Sequence, residues 1–264
     1  VAKKTHELGL DRPLLVQYAD WAMHAVTGNL GRSWFSGELV TTTLSTRIMV
    51  TLTLVGGATI VAALLAIVFG VLAARRGGWI DAVVQVGAFI GFAVPNFLIA
   101  LALVLVFAIN LHWFKATGIV PPQQSIVGWL STITLPIAAL SIGAMASIVQ
   151  QVRGSVVDSV SRDYVRTLRA RGFSESTVIY RHVLRNAGGP ALAVLGGQFI
   201  GLLSGTVVIE QVFAIPGLGQ ATVSATSLGD VPLVMGLVVV FVILVVIVNL
   251  LIDLGQAALN PKVR

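Results

Sequence analysis

Five long apolar stretches, at about 48–74, 82–109, 129–149, 190–213 and 232–254, constrain this 264-residue chain more than any other feature. A helix needs roughly 20 mostly apolar residues to cross the hydrocarbon layer, and each stretch reaches that length. Lipid offers no partner to backbone polar groups, so each stretch is expected to be a helix that satisfies its own. Composition points the same way: 56% of residues are hydrophobic and 11% charged, against roughly a quarter charged in an average globular domain. The sequence therefore reads as an all-α integral membrane protein. The second stretch is long enough to tilt, or to break at Pro95-Asn96, where a proline frees a backbone carbonyl.

The first 47 residues differ in kind. Leu14, Tyr18, Trp21 and Ala25 fall at helical spacing, and Gly28-Asn29 stops the helix they predict. One apolar face on a short helix suits the membrane surface better than a crossing. Val1 is not an initiator methionine and no signal-peptide pattern appears, so a preceding segment is expected.

Orientation follows from the basic residues. Five crossings put 75–78, 151–189 and the C-terminal tail on one side, with two, seven and two lysines or arginines, eleven of the seventeen. Short basic loops stay in the cytoplasm. The N-terminal segment and the loops 110–128 and 214–231 then lie outside. The same rule accounts for the net charge of +6, so a nucleic-acid partner is not inferred. The absence of cysteine excludes disulfides and thiolate metal sites. His6, His24, His112 and His182 are scattered, and no metal site is expected. Glycines recur at four-residue spacing (Gly87 with Gly91; Gly197, Gly201 and Gly205). That spacing suits close helix contacts, within one subunit or between two.

Residues 163–186, DYVRTLRARGFSESTVIYRHVLRN, carry five arginines. An orientation loop accounts for two or three of them, not for a loop of nearly forty residues. A voltage sensor places arginine at every third position of a spanning helix; Arg166 and Arg169 fit, but Arg171-Gly172 breaks the step outside any apolar span. The local pattern gives a third reading. Residues 158–171 are predicted helical, with Val160, Tyr164 and Leu168 spaced by four. Gly172 stops that helix, because glycine enters the left-handed region without steric cost. Ser174 can cap a second helix and Glu175 suits its positive end. Val178, Ile179, His182 and Val183 form one side of it, with Arg181 and Arg185 elsewhere. A helix–glycine–helix element with apolar teeth and a basic rim, lying across the cytoplasmic face, suits docking to another protein.

This segment resembles the glycine-centred coupling motif of ABC importer membrane subunits, and more narrowly the first permease of the dipeptide, oligopeptide and nickel branch. DRPLLVQYADWAMHAVTGNLGRSW, VVIEQVFAIPGLGQ and NLLIDLGQAALNPKVR agree with that branch, so the likeness covers nearly the whole chain in order. Gly172 and Leu184 match the general motif. Arg166, Thr167 and Leu168 stand where it has Glu-Ala-Ala, and His182 and Arg185 where it has isoleucine and proline. The arginine-rich version is similar to the peptide branch. The resemblance implies a type I ABC importer transmembrane domain with five spans here and six in a full subunit. Its boundaries would be an extracytoplasmic segment at 1–42, the transmembrane domain at 43–254 with a coupling region at 153–187, and a cytoplasmic tail at 255–264. It implies ATPase coupling through Tyr164, Arg166, Leu168, Arg169, Arg171, Gly172, Phe173, Ser174, Glu175, His182, Leu184 and Arg185. The implied partners are a second homologous permease, two ATP-binding subunits that hold ATP and Mg, and an extracytoplasmic substrate-binding protein. The implied setting is the bacterial cell membrane and the implied cargo short peptides, with a nickel chelate or haem as the alternative.

The sequence carries no chemistry of its own that would compete with this reading. It has no phosphate-cradling GxxxxGK[ST] loop, GxSxG elbow or HExxH, so no bound cofactor and no catalytic role are expected. An energy-independent channel or secondary carrier would favour paired charges at mid-membrane or an inverted repeat, and neither is found. Asp81 and Asp253 sit at cytoplasmic span ends, within reach of water or an arginine. Glu210, near the outer end of the fourth span, is an acid among apolar neighbours and must face a cavity or find a partner. It is either an anchor for the turn at Pro216-Gly217 or an electrostatic contact for a cationic amino terminus. The IPGLG stretch after Phe213 reads as a turn or re-entrant element that could form an outer gate, and Pro95, Asn96 and Asn110 as candidates for the translocation pathway.

Overall fold

The computed structural model describes residues 12–259 and is helical, with one isolated bridge between Arg32 and Leu39. Expectations for His6, the start of the outer segment and the last five residues of the tail lie outside that range. In chain order the helices are α1 (Leu14–Val26), α2 (Val40–Arg76), α3 (Gly78–Ala93) and α4 (Asn96–Leu103, prolonged by a π-helical turn, Val104–Asn110). Then follow α5 (Ile126–Val160), α6 (Asp163–Ala170), α7 (Glu175–Val212), α8 (Leu218–Leu228) and α9 (Val231–Leu259).

Four of these, α2, α5, α7 and α9, are long and apolar enough to cross a membrane, and α3 with α4, bent by 99°, is so too when the pair is counted as one broken span. Of the two outcomes open for the second stretch, the break is realised. Val94 is extended (φ −88°, ψ 123°), the conformation that a following proline imposes, and Pro95 then leads into α4. In α1, only Trp21 and Ala25 of the predicted face pack against the body, while Leu14 and Tyr18 are exposed. Gly28 follows the helix at φ +85°.

The interior is built around α5, whose Leu135, Ala139, Leu140, Ile148, Val149, Val152 and Val156 are buried between α2, α7 and the α3–α4 pair. Ser125 caps its first turn by accepting from Gly128 N at 3.0 Å. Lipid is as apolar as these side chains, so the helices associate through close packing and not through escape from water. The α2–α5 crossing shows how close: a Cβ on Gly70 would lie 2.8 Å from Val152 Cγ1. The glycine ladder of α7 behaves otherwise. Gly197 and Gly201 meet nothing within 4 Å, while Gly205 lies beside Asn96. Likewise Gly87 is open and Gly91 touches Ile142.

Candidate coupling element and outer turn

The arginine segment departs from its predicted shape at two points. One helix was predicted over 158–171; instead α5 ends at Val160, and α6 starts afresh at Asp163 after Ser161-Arg162. Ser161 donates its hydroxyl to Asp158 O (2.8 Å), a local bond that competes with helix continuation, and Asp163 suits the positive end of the new dipole. The second short helix is not separate. It is the foot of α7, which runs from Glu175 through a π-helical turn (Val178–Val183) and past Pro190 into the membrane.

The joint between α6 and α7 is sharply specified. Gly172 N donates to Arg169 O (2.9 Å) and Phe173 N to Leu168 O (3.2 Å), the paired bonds of a Schellman termination. Gly172 has φ +79°, a value that costs other L-residues about 1–2 kcal/mol. Ser174 then accepts from Thr177 N at 3.4 Å, and Glu175 receives Arg169 Nε at 2.6 Å and Nη2 at 3.2 Å. This ion pair straddles the turn and is exposed at both ends, so it orients the turn more than it stabilises it.

The apolar teeth face inward, which corrects their predicted role as a docking surface. Val165, Val178, Ile179 and Val183 are buried in the core, and Tyr164 and Leu168 pack half-buried against it. What the element offers outward is basic and aromatic: Arg162, Arg166, Arg169, Arg171, Arg181 and Arg185, with Phe173 and Tyr180. His182 is half-buried and meets Phe173 edge-on at 6.1 Å; Leu184 is half-buried.

At the far end of α7, Glu210 is completely buried. Its Oε1 accepts from Thr51 Oγ1 of α2 (2.6 Å) and its Oε2 from Gln220 N of α8 (2.9 Å). Thr51 Oγ1 in turn accepts from Leu218 N (2.8 Å). The carboxylate thus satisfies free amides at the start of α8 and joins α2, α7 and α8 at one point. A Cβ on Gly217 would run into that carboxylate, so the residue must be glycine for the turn to close. Phe213 and Ile215 are buried, Pro216 is exposed, and Ala214 takes a left-handed φ of +50°. A contact with a cationic amino terminus needs an open side on the carboxylate, and Glu210 has none in this arrangement.

Asn96 lies far along the chain from that turn but touches the same helix. Pro95 is exposed at the bend, and the Asn96 amide fits against Gly143 of α5 and, through Nδ2, near Gly205 of α7. Asn110, at the end of the π-helical turn, is exposed. Asp81 does find an arginine: Arg153 Nε and Nη2 both reach its carboxylate at 2.5 Å. Asp253 is exposed and makes no ion pair among the described residues.

Residues 66–264 match the family described as binding-protein-dependent transport system inner membrane component. The chain belongs to that family. It is 37% identical, over its whole length and 85% of the relative, to the probable peptide ABC transporter permease protein y4tP of Sinorhizobium fredii. It is 36% identical to the oligopeptide transport system permease protein AppB of Bacillus subtilis, over 97% of this chain and 82% of AppB. Among solved structures it is similar to an inward-facing MetNI methionine ABC transporter (TM-score 0.67, 18% identity, 82% of this chain and 96% of that one). It is also similar to an amino acid ABC transporter with histidines (TM-score 0.61, 16% identity, 83% and 94%). The fold is therefore that of a type I ABC importer transmembrane domain, and the chain is a multi-pass ABC transporter permease of the bacterial inner membrane.

Several partners in these sites escaped the sequence reading. Thr51 carried no signal, being one of many hydroxyls in 41–59. Arg153 was counted only for orientation, although it falls on the helix opposite Asp81. Asp230, buried where it receives the Ser33 hydroxyl and Trp34 N (3.2 Å), was overlooked; an Asp just before Val-Pro is a legible helix-start signal.

Proposed function

We propose that this chain is one of two permease subunits of an ATP-driven importer of short peptides. In this reading two ATPase subunits energise it from the cytoplasm and an extracytoplasmic binding protein supplies the cargo. The peptide class comes from the names of its relatives. The energetic logic comes from the chain itself, which lacks a nucleotide-binding loop and must receive work from a partner.

One observation carries the coupling role: α7 is a single helix from Glu175 to Val212, about 57 Å long at 1.5 Å per residue. Its foot bears Glu175, His182, Leu184 and Arg185, and its head bears Glu210, with Phe213 as its C-cap. Pushing the foot moves the head. Closure of the ATPase dimer against α6, Gly172, Phe173 and the exposed arginines would rock α7 as a rigid lever, a kind of domain motion that transporters use widely. Glu210 then serves as the anchor that passes the movement to the turn 213–217, and Pro216 and Gly217 shape the outer gate. Asn96 and Pro95 hold the bend where α3 and α4 meet the pathway.

The test is peptide-stimulated ATP turnover in the reconstituted complex carrying Gly172→Pro. Proline cannot adopt φ +79°, so stimulation is expected to disappear while the basal turnover of the ATPases persists. Unchanged stimulation would remove the coupling role from this element.

A further inference from the structure

The α3–α4 pair is fastened to α5 at two points. At the foot of α3, Asp81 holds Arg153; past the bend, at the start of α4, the Asn96 amide is fitted against Gly143. Between the two fastenings the helices part around a cavity of about 560 Å³, lined by Phe89, Phe92, Ser147, Gln150, Gln151 and Val194, with Ala146 at its edge. That volume falls within the usual range for small-ligand pockets, about 300–1,000 Å³.

The lining has a definite chemistry. Gln151 spends its Nε2 on Ser155 (3.0 Å), but the Gln150 amide has no hydrogen-bond partner among the described residues and is exposed. A primary amide offers two donors and an acceptor. A polar group at a span end that opens on a cavity, and not on packed helices, marks a solute route more readily than a structural contact. No ionisable side chain lines the cavity, and the nearby Asp81 is already matched by Arg153. Phe89 and Phe92 supply apolar lining.

We infer that this cavity is a cytoplasmic-side station for the transported peptide, in which Gln150 binds the peptide backbone and Phe89 and Phe92 cover an apolar side chain. The assignment rests on the peptide reading above. Neutral amides match a peptide bond whatever its side chains, and their bonds are weak compared with charge-assisted ones. A station before release needs that balance: enough attraction to draw the solute in, and little enough to let it go.

The chain contains no cysteine, so Gln150→Cys introduces a single thiol whose labelling can be read by mass on this subunit. The complex is reconstituted in nanodiscs and treated with a water-soluble methanethiosulfonate reagent, with and without the short-peptide fraction of a casein digest. Val238→Cys, on the exposed apolar side of α9, is the lipid-facing control and is expected to stay unlabelled. Gln150→Cys is expected to label. With digest at about ten times the concentration that gives half-maximal protection, mass action leaves about a tenth of the site free, so labelling slows about tenfold. Phe89→Cys should show the same protection, which guards against a defect peculiar to one variant. If uptake of the digest is seen but Gln150→Cys is closed to the reagent, or labels at one rate with and without peptide, the station is overturned alone. If the complex takes up no peptide, the peptide reading fails and the station fails with it.

Discussion

Thr51 on α2 donates its hydroxyl to the Glu210 carboxylate on α7 at 2.6 Å while accepting from Leu218 N at 2.8 Å. One side chain thus bridges the acid and the helix that follows the outer turn, at a site sealed from water and lipid.

Thr51→Val keeps the shape and deletes both bonds, leaving a buried carboxylate oxygen and a buried amide without partners. Such a loss costs about 1–3 kcal/mol. The purified complex is expected to melt at a lower apparent temperature with Thr51→Val and near the wild-type value with Thr51→Ser. Equal melting of Thr51→Val and wild type would show that the bridge carries no load.

Gly217→Ala drives a methyl group into the same carboxylate, since all three atoms nearest to an added Cβ belong to Glu210. Overpacking of this kind costs about 1–3 kcal/mol. Glu210→Ala alone also destabilises, by stranding the amides of α8. The double variant relieves the clash, so its loss should fall short of the sum of the two singles by about 0.5–3 kcal/mol, measured by a double-mutant cycle. Gly219→Ala should show no such rescue, because the backbone of Val207 also stands in its way.

The bend at Pro95 makes a parallel prediction. A Cβ on Gly143 would run into the Asn96 amide, so Gly143→Ala is expected to depress peptide uptake by the reconstituted complex. Adding Asn96→Ala, which vacates the space, should restore part of it. If the single variant transports normally, α4 and α5 have room to shift apart at that height.

What the sequence made legible follows the range of the forces involved. Apolar length identifies the spans because crossing lipid is a property of each segment alone, and Gly172 and Ser174 were readable because termination and capping are local. The limits of α6 and α7 were not. Whether a helix stops at Ser161 or runs on past Pro190 depends on what side chains such as Val165 and Val183, both buried here, find to pack against elsewhere in the fold. The same holds for site partners: Glu210 announces by itself that it needs one, but nothing within 159 positions of it names Thr51. The glycine ladder is legible only in part. Gly197 and Gly201 have the spacing of a helix contact, yet among the described residues nothing lies within 4 Å of a Cβ added at either, so they make no close contact among these residues.

The central claim is that the joint at Gly172 meets the ATPase, and a cross-link tests it most directly. Phe173 is exposed beside that joint, and Phe173→Cys places a thiol there in a sequence that otherwise has none. In the assembled transporter, Phe173→Cys is expected to cross-link to an ATPase subunit, with a yield that changes when ATP is bound. Cross-linking to the extracytoplasmic binding protein, or labelling by an impermeant reagent added outside intact cells, would contradict the account.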